Sequence, residues 1–97
     1  MQDEKRVRAD SIPVYSVFDS KADAWSFPWL ARTDETAQRM FAASALDPAN
    51  DICKFAGDFT LFRIGFWDDN NGKFDMEETK KDLGTALQIR SRYEVNN

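Results

Sequence analysis

The residues best equipped for chemistry in this 97-residue chain are a run of acids and a run of aromatics. Asp68, Asp69, Asp75, Glu77 and Glu78 sit close together in sequence. Glycosidase and two-metal sites gather their carboxylates from different elements. Here the acids lie in one turn and its exit, which is the pattern of a solvated face. Aligned on Gly72, Trp67 to Glu78 also imitates part of a calcium-binding EF-hand loop. Asp69 and Asn71 fall at ligand positions three and five, Phe74 at the apolar position eight, and Glu78 at position twelve. Position one is Trp67, which has no oxygen to give, and the flanks alternate as strands do. The expectation is a hairpin turn, no bound metal and no cofactor.

Nucleophilic chemistry is poorly supplied. The chain has no histidine and a single cysteine. The first fact removes the commonest general base and the commonest transition-metal ligand. The second excludes an internal disulfide and a multi-cysteine zinc site. Lys54 beside Cys53 favours a thiolate, but Ile52 and Phe55 favour a buried structural thiol, and the latter is expected. No phosphate-binding or dinucleotide-binding glycine pattern occurs. The chain is expected not to be an enzyme.

Aromatics are the unusual supply: eight Phe, three Trp and two Tyr. Trp25, Phe27 and Trp29 recur at period two, so on a strand they share a face. They are either the inward face of the sheet or a stacking platform or oligomer interface. Stacking of a base on an aromatic ring is worth ~1–3 kcal/mol. Arg32, Arg63, Lys73, Lys80, Lys81, Arg90 and Arg92 could frame such a face locally. The expected nucleic-acid-binding residues are Trp25, Phe27, Trp29, Arg32, Arg63, Arg90 and Arg92. The net charge of −4 opposes broad attraction to phosphate.

The length suits one domain, which hides roughly 60–70% of its unfolded surface. The apolar share of 42% and charged share of 31% stay clear of the compositions that prevent folding. No apolar run approaches the ~20 residues that span a bilayer, and the charged start lacks a signal-peptide segment. A cytosolic protein with no membrane contact is expected. Residues 1–11 mix acids and bases around Val7 and read as a charged, flexible arm, with 12–97 as one domain.

Within that domain Ile12–Phe18 is β-rich, with Pro13 at its start or on an edge. Ser20 and Asp23 have capping-box-like spacing for a short helical turn. Ala24–Arg32 reads as a second strand, edge or bulged because of Pro28. Thr33–Leu46 is the strongest helix: Thr33 can cap, Asp34 and Glu35 suit the first turn, and Ala37, Met40, Phe41, Ser44 and Ala45 form one apolar stripe. Residues 49–58 read as a loop anchored by Ile52 and Phe55. Phe59–Trp67 is the strongest strand, with Phe62, Ile64 and Phe66 on one face, and 58–78 reads as a hairpin. Residues 79–86 fit a helical turn or a loop, and Leu87, Ile89, Tyr93 and Val95 alternate as a last strand. The fold expected is α+β: an antiparallel sheet of four to five strands with one main helix on one face.

Several strings occur in a fixed order: Val14 to Ala24, Phe27-Pro28-Trp29, Thr36 to Phe41, Asp47-Pro48, Asp58 to Asp69, and Leu83 to Ala86. Over about residues 12–88 the series resembles the small non-structural protein of gokushoviruses, a branch of the Microviridae. The resemblance implies a bacteriophage protein made in the host cytoplasm that helps switch replication from duplex copying to single-strand synthesis and packaging. It implies association with DNA and defines no site residues. The charged arm before Ile12, and Trp25 and Trp29, depart from that pattern.

Together these readings give an accessory protein that binds single-stranded DNA as a small homo-oligomer, most simply a homodimer. The alternative is an adaptor that docks on the phage replication initiator or prohead and never touches DNA.

Overall fold

The computed structural model describes residues 11–94. The arm expected at 1–11 falls outside them except for Ser11, which already belongs to a strand.

Strand β1, Ser11–Asp19, is the spine of a five-stranded antiparallel sheet. Its outer edge pairs with two very short strands, β2 (Ala24–Trp25) and β3 (Trp29–Leu30). Its inner edge pairs with β4, Phe59–Asp68, which pairs in turn with β5, Lys73–Thr85. β-branched and aromatic residues fill β1 and β4, as a pleated, half-buried surface favours. At the β1–β2 turn the Asp19 carboxylate accepts hydrogen bonds from Lys21 N and Ala22 N. That Asx turn replaces the Ser20–Asp23 helical cap expected from sequence.

Helix α1, Asp34–Ala45, starts where Thr33 accepts a hydrogen bond from Thr36 N at 3.1 Å, as its sequence predicts. It buries Ala37, Phe41, Ala42 and Ala45 against one face of the sheet, where Tyr15, Val17 and Leu61 wait. Three alanines on that stripe let the helix lie close to its neighbours. Residues 49–58, expected as a loop, hold a one-turn helix α2, Asp51–Lys54, capped by Asn50, and then a short 3-10 turn. Ile52 packs on the core as expected, whereas Phe55 does not and is exposed.

The C-terminal segment corrects the sequence reading. β5 runs on through residues 79–85, and 86–93 form helix α3, not a last strand. The strand pattern of Leu87, Ile89 and Tyr93 was a coincidence of spacing; Val95 lies outside the described residues. Ala86, Ile89 and Tyr93 fit helical spacing equally well, and these are the residues that meet the core, while Leu87 is exposed. A reciprocal cap fixes the start: Thr85 Oγ1 accepts from Gln88 N, and Gln88 Oε1 accepts from Thr85 N. Gly84, at φ +117°, turns the chain out of the strand, and a Cβ there would press on Ile89. Two helices, α1 and α3, therefore cover one face of the sheet.

Candidate nucleic-acid interface

Two of the aromatics expected to share a face are sent to opposite faces by one extra residue. Between the pairs Tyr15–Trp29 and Phe18–Trp25, two residues of β1 stand opposite three of the edge, Ser26, Phe27 and Pro28. A bulge of this kind shifts the alternation by one. Ser26 holds the bulge. Its N–H donates to Val17 O at 2.8 Å, and its hydroxyl accepts from Val17 N at 2.9 Å. Ser16 Oγ donates to Ser26 O. Pro28, with no N–H, needs no ladder partner.

The consequences differ for each ring. Trp25 joins Phe18 and Phe62 on the face that carries no helix, with ring centres 4.9 and 5.1 Å away. Trp29 turns to the helix face beside Tyr15 and packs on the core. Phe27, 96% exposed, packs on neither. The period-two stripe read from sequence is therefore not one surface.

A second irregularity shapes the helix-free face. In β4, Ile64 is extra relative to β1, and opposite it β5 inserts residues 77–80. Phe66 consequently pairs with Pro13 and lies on the helix side, near the Arg63 guanidinium at 5.1 Å, instead of beside Phe62 and Ile64. Gly65 is required here, because a Cβ would meet Asp75 O at 2.8 Å. The inserted residues carry Lys80 to the helix-free side, where its ammonium sits 5.4 Å from the Trp25 ring centre. Ser16, Trp25, Ser26, Pro28, Ile64 and Lys80 line a shallow hollow of about 310 Å³. Further along the same face Trp67 and Phe74 form a second ring pair at 4.9 Å.

Two of the arginines expected at this surface, Arg63 and Arg90, are engaged elsewhere. Arg63 lies on the helix side and binds Glu77 through Nε at 2.6 Å and Nη2 at 3.2 Å. Its Nη1 reaches Asp34 Oδ2 at 3.2 Å, which Lys81 also reaches at 3.0 Å. Tyr15 donates to Asp34 Oδ1 at 2.7 Å. The Glu77 hydrogen bonds, against the cost of burial, raise the Arg63 pKa further above its ordinary range. Burial works to raise the Asp34 pKa, but the Tyr15 and Lys81 hydrogen bonds and the Arg63 charge outweigh it, so the carboxyl is held below its usual range. Burial, and then the bond to Asp34, pushes the Tyr15 hydroxyl well above an ordinary phenol. This network ties the start of α1 to β1, β4 and β5.

Arg90 is also committed internally. Its guanidinium donates to Cys53 O at 3.1 Å and Ala45 O at 3.4 Å, so it closes the ends of α1 and α2. It lies 3.7 Å from Cys53 Sγ, and that thiol is half-buried. Arg32 and Arg92 are exposed and have no ion-pair partner among the described residues. Of the seven residues expected to bind nucleic acid, only Trp25 is seen in the helix-free aromatic cluster. Phe18 and Phe62, its supports, were legible as strand aromatics, but the bulge that aligns them with Trp25 leaves no signal of its own.

The acidic stretch forms a hairpin turn. Asp68 accepts from Asn70 N and Asn71 N, and Gly72 N donates to Asp68 O. Among the described residues no cluster of three or more potential metal ligands occurs, and no helix is long and apolar enough to cross a membrane.

No curated protein and no solved structure matches the chain. A family model described as Phage ORF5 protein matches residues 12–89, which is the sheet but for Ser11, helices α1 and α2, and the first half of α3. The chain thus belongs to the Phage ORF5 protein family and is a bacteriophage protein.

Proposed function

We propose that this phage protein binds single-stranded DNA, without catalysis, on the helix-free face of its sheet. One observation carries the reading: Trp25 is 45% exposed, is backed by Phe18 and Phe62, and has the Lys80 ammonium over its ring. A flat ring held from behind can stack on an unpaired base, and an adjacent cation can meet the phosphate that follows. Bases inside a duplex are out of reach of such a ring. The sequence resemblance to gokushoviral non-structural proteins supports the setting, the host cytoplasm during the switch from duplex copying to single-strand synthesis and packaging.

The test is fluorescence anisotropy with a labelled oligonucleotide of about 30 bases at low salt, single-stranded against duplex. Preference for the single strand is expected. With Arg63 and Arg90 already engaged, about one or two phosphates are neutralised, so affinity should fall only gently with added salt. No binding at ~50 µM protein would remove the reading, since even a few stacked bases at ~1–3 kcal/mol each give detectable affinity.

A second reading, an adaptor for a phage replication or assembly protein, is favoured by the net charge of −4 and by the fully displayed Phe27. It predicts no DNA binding and capture of the partner through that ring.

A further inference from the structure

On the helix side of the edge strands, Val17, Trp29, Met40, Phe41, Ile52 and Phe59 lie along a groove of about 620 Å³. Trp25, Ser26 and Phe27 line it too. Asp19 is the one charged side chain along it, and that carboxylate already caps the neighbouring turn. The groove is therefore predominantly apolar, with one negative charge at Asp19, in a chain of which 31% is charged. A polyanion has no counter-charge there, whereas an apolar side chain does fit.

The chain itself displays the matching feature. Residues 24–31, Ala-Trp-Ser-Phe-Pro-Trp-Leu-Ala, carry no charge, and Phe27 stands out from them at 96% exposure. This display is built, not loose: three hydrogen bonds between Ser26 and the Ser16–Val17 backbone and hydroxyl fix the residue before it, and Pro28 fixes the residue after it. Ring and groove match in character, since both are predominantly apolar, and they adjoin on one surface. A surface that carries both an apolar knob and the hole beside it complements a copy of itself, and a two-fold axis closes that contact without propagating it.

We infer that two copies of this chain form a two-fold dimer in which Phe27 of each occupies the groove of the other. The short strands β2 and β3 lie at the centre of this contact, which covers the sheet edge they leave incomplete. The inference rests on Phe27 and the groove and not on the DNA reading, although Trp25 lines both the groove and the hollow on the helix-free face.

Sedimentation velocity on the full chain at tens of micromolar decides it. The wild type should sediment at twice the 11.2 kDa monomer mass. Phe27→Asp should weaken association at least ~100-fold, as loss of a central aromatic anchor does, and the monomer should keep its far-UV circular dichroism because the 96% exposed ring touches no core. Met40→Lys, in the groove wall, should do the same from the other side. Phe55→Asp, an exposed aromatic outside the groove, should leave the dimer intact. A monomeric wild type, or a Phe27→Asp protein that still dimerises, overturns the inference. So does a groove that takes up an added Phe-Pro peptide without any self-association.

Discussion

Leu61 and Phe62 are consecutive residues of β4, yet Leu61 is fully buried beneath the helices while Phe62 supports an exposed tryptophan on the other side. The two faces of the sheet obey different rules. The covered face is made for close approach: Ala37, Ala42, Ala45 and Ala86 bring α1 and α3 near the sheet, and only a few large side chains, chiefly Tyr15, Phe41, Leu61 and Ile89, fill what remains. The open face carries Phe18, Trp25, Phe62, Trp67 and Phe74, which pack on one another with no helix over them. Rings on the covered face fill the core, whereas on the open face Phe18, Phe62 and Trp67 are part-buried and Trp25 and Phe74 stay about half exposed. The exposed Trp25 is the observation on which the proposed DNA reading rests.

The contrast is broken most directly by paired truncations. Phe41→Ala empties a site walled by helix and sheet and should cost ~3–5 kcal/mol of unfolding free energy. Phe62→Ala, half-exposed on the open face, should cost less than ~2 kcal/mol. Urea denaturation of both variants measures the difference. Equal losses would mean that the open face is a second core.

The polar network under α1 gives the next largest effect and has a pH signature. Tyr15→Phe leaves Asp34 one donor short and should cost ~1.5–3 kcal/mol at neutral pH, the range for a hydrogen bond to a charged group. The folded-state pKa of Asp34 is depressed, so its contribution is present above the ordinary carboxylate value and is lost as pH falls through the folded value. Acid should therefore destabilise the protein below about pH 4. The folded-state pKa of Tyr15 is raised, so its contribution is whole below the ordinary phenol value and declines above about pH 10. Melting curves across pH should show both losses, and Tyr15→Phe should remove the alkaline one. An alkaline loss that survives in the variant would place it on another group.

On the open face the expected effect is on binding. Trp25→Ala should leave the melting temperature nearly unchanged and weaken single-stranded DNA binding by ~1–3 kcal/mol. Lys80→Ala should lower the salt dependence by about one phosphate equivalent. If Trp25→Ala unfolds the protein instead, the ring belongs to the structure and the stacking assignment falls.

How much of this was legible in the sequence follows from where local and tertiary signals agree. Helix α1 carries its own cap, its own first-turn acids and one apolar stripe, so it could be read residue by residue. β1 and β4 likewise announce themselves by β-branched and aromatic content. The α3 segment could not be settled that way, because Ile89 and Tyr93 satisfy both periods and packing against α1 decided between them. The candidate site was the least legible part. Its face assignments depend on bulges at Ser26–Pro28 and Ile64, and a bulge changes every later assignment while adding only one ordinary residue. The partners of Arg63 and Arg90 were hidden for a related reason: a cation on a strand or helix looks the same in sequence whether it meets solvent or, as here, Glu77 or a carbonyl at a helix end.

Trp29 lies on the border between the two regimes, and it supplies the smallest and most pointed test. It packs on the covered core beside Tyr15, yet among the described residues its buried Nε1 meets no acceptor. A buried donor without a partner costs ~1–3 kcal/mol. Trp29→Phe removes that donor and keeps an aromatic ring of similar position. The packing lost with the smaller ring and the penalty relieved with the N–H act in opposite directions, so the net change should stay within ~1 kcal/mol. Trp29→Ala, which discards the ring as well, should cost more, ~3 kcal/mol or above. Urea midpoints of the two variants separate the contributions. If Trp29→Phe proves as costly as Trp29→Ala, the indole N–H is making a bond that matters, and this residue joins the network on the covered face.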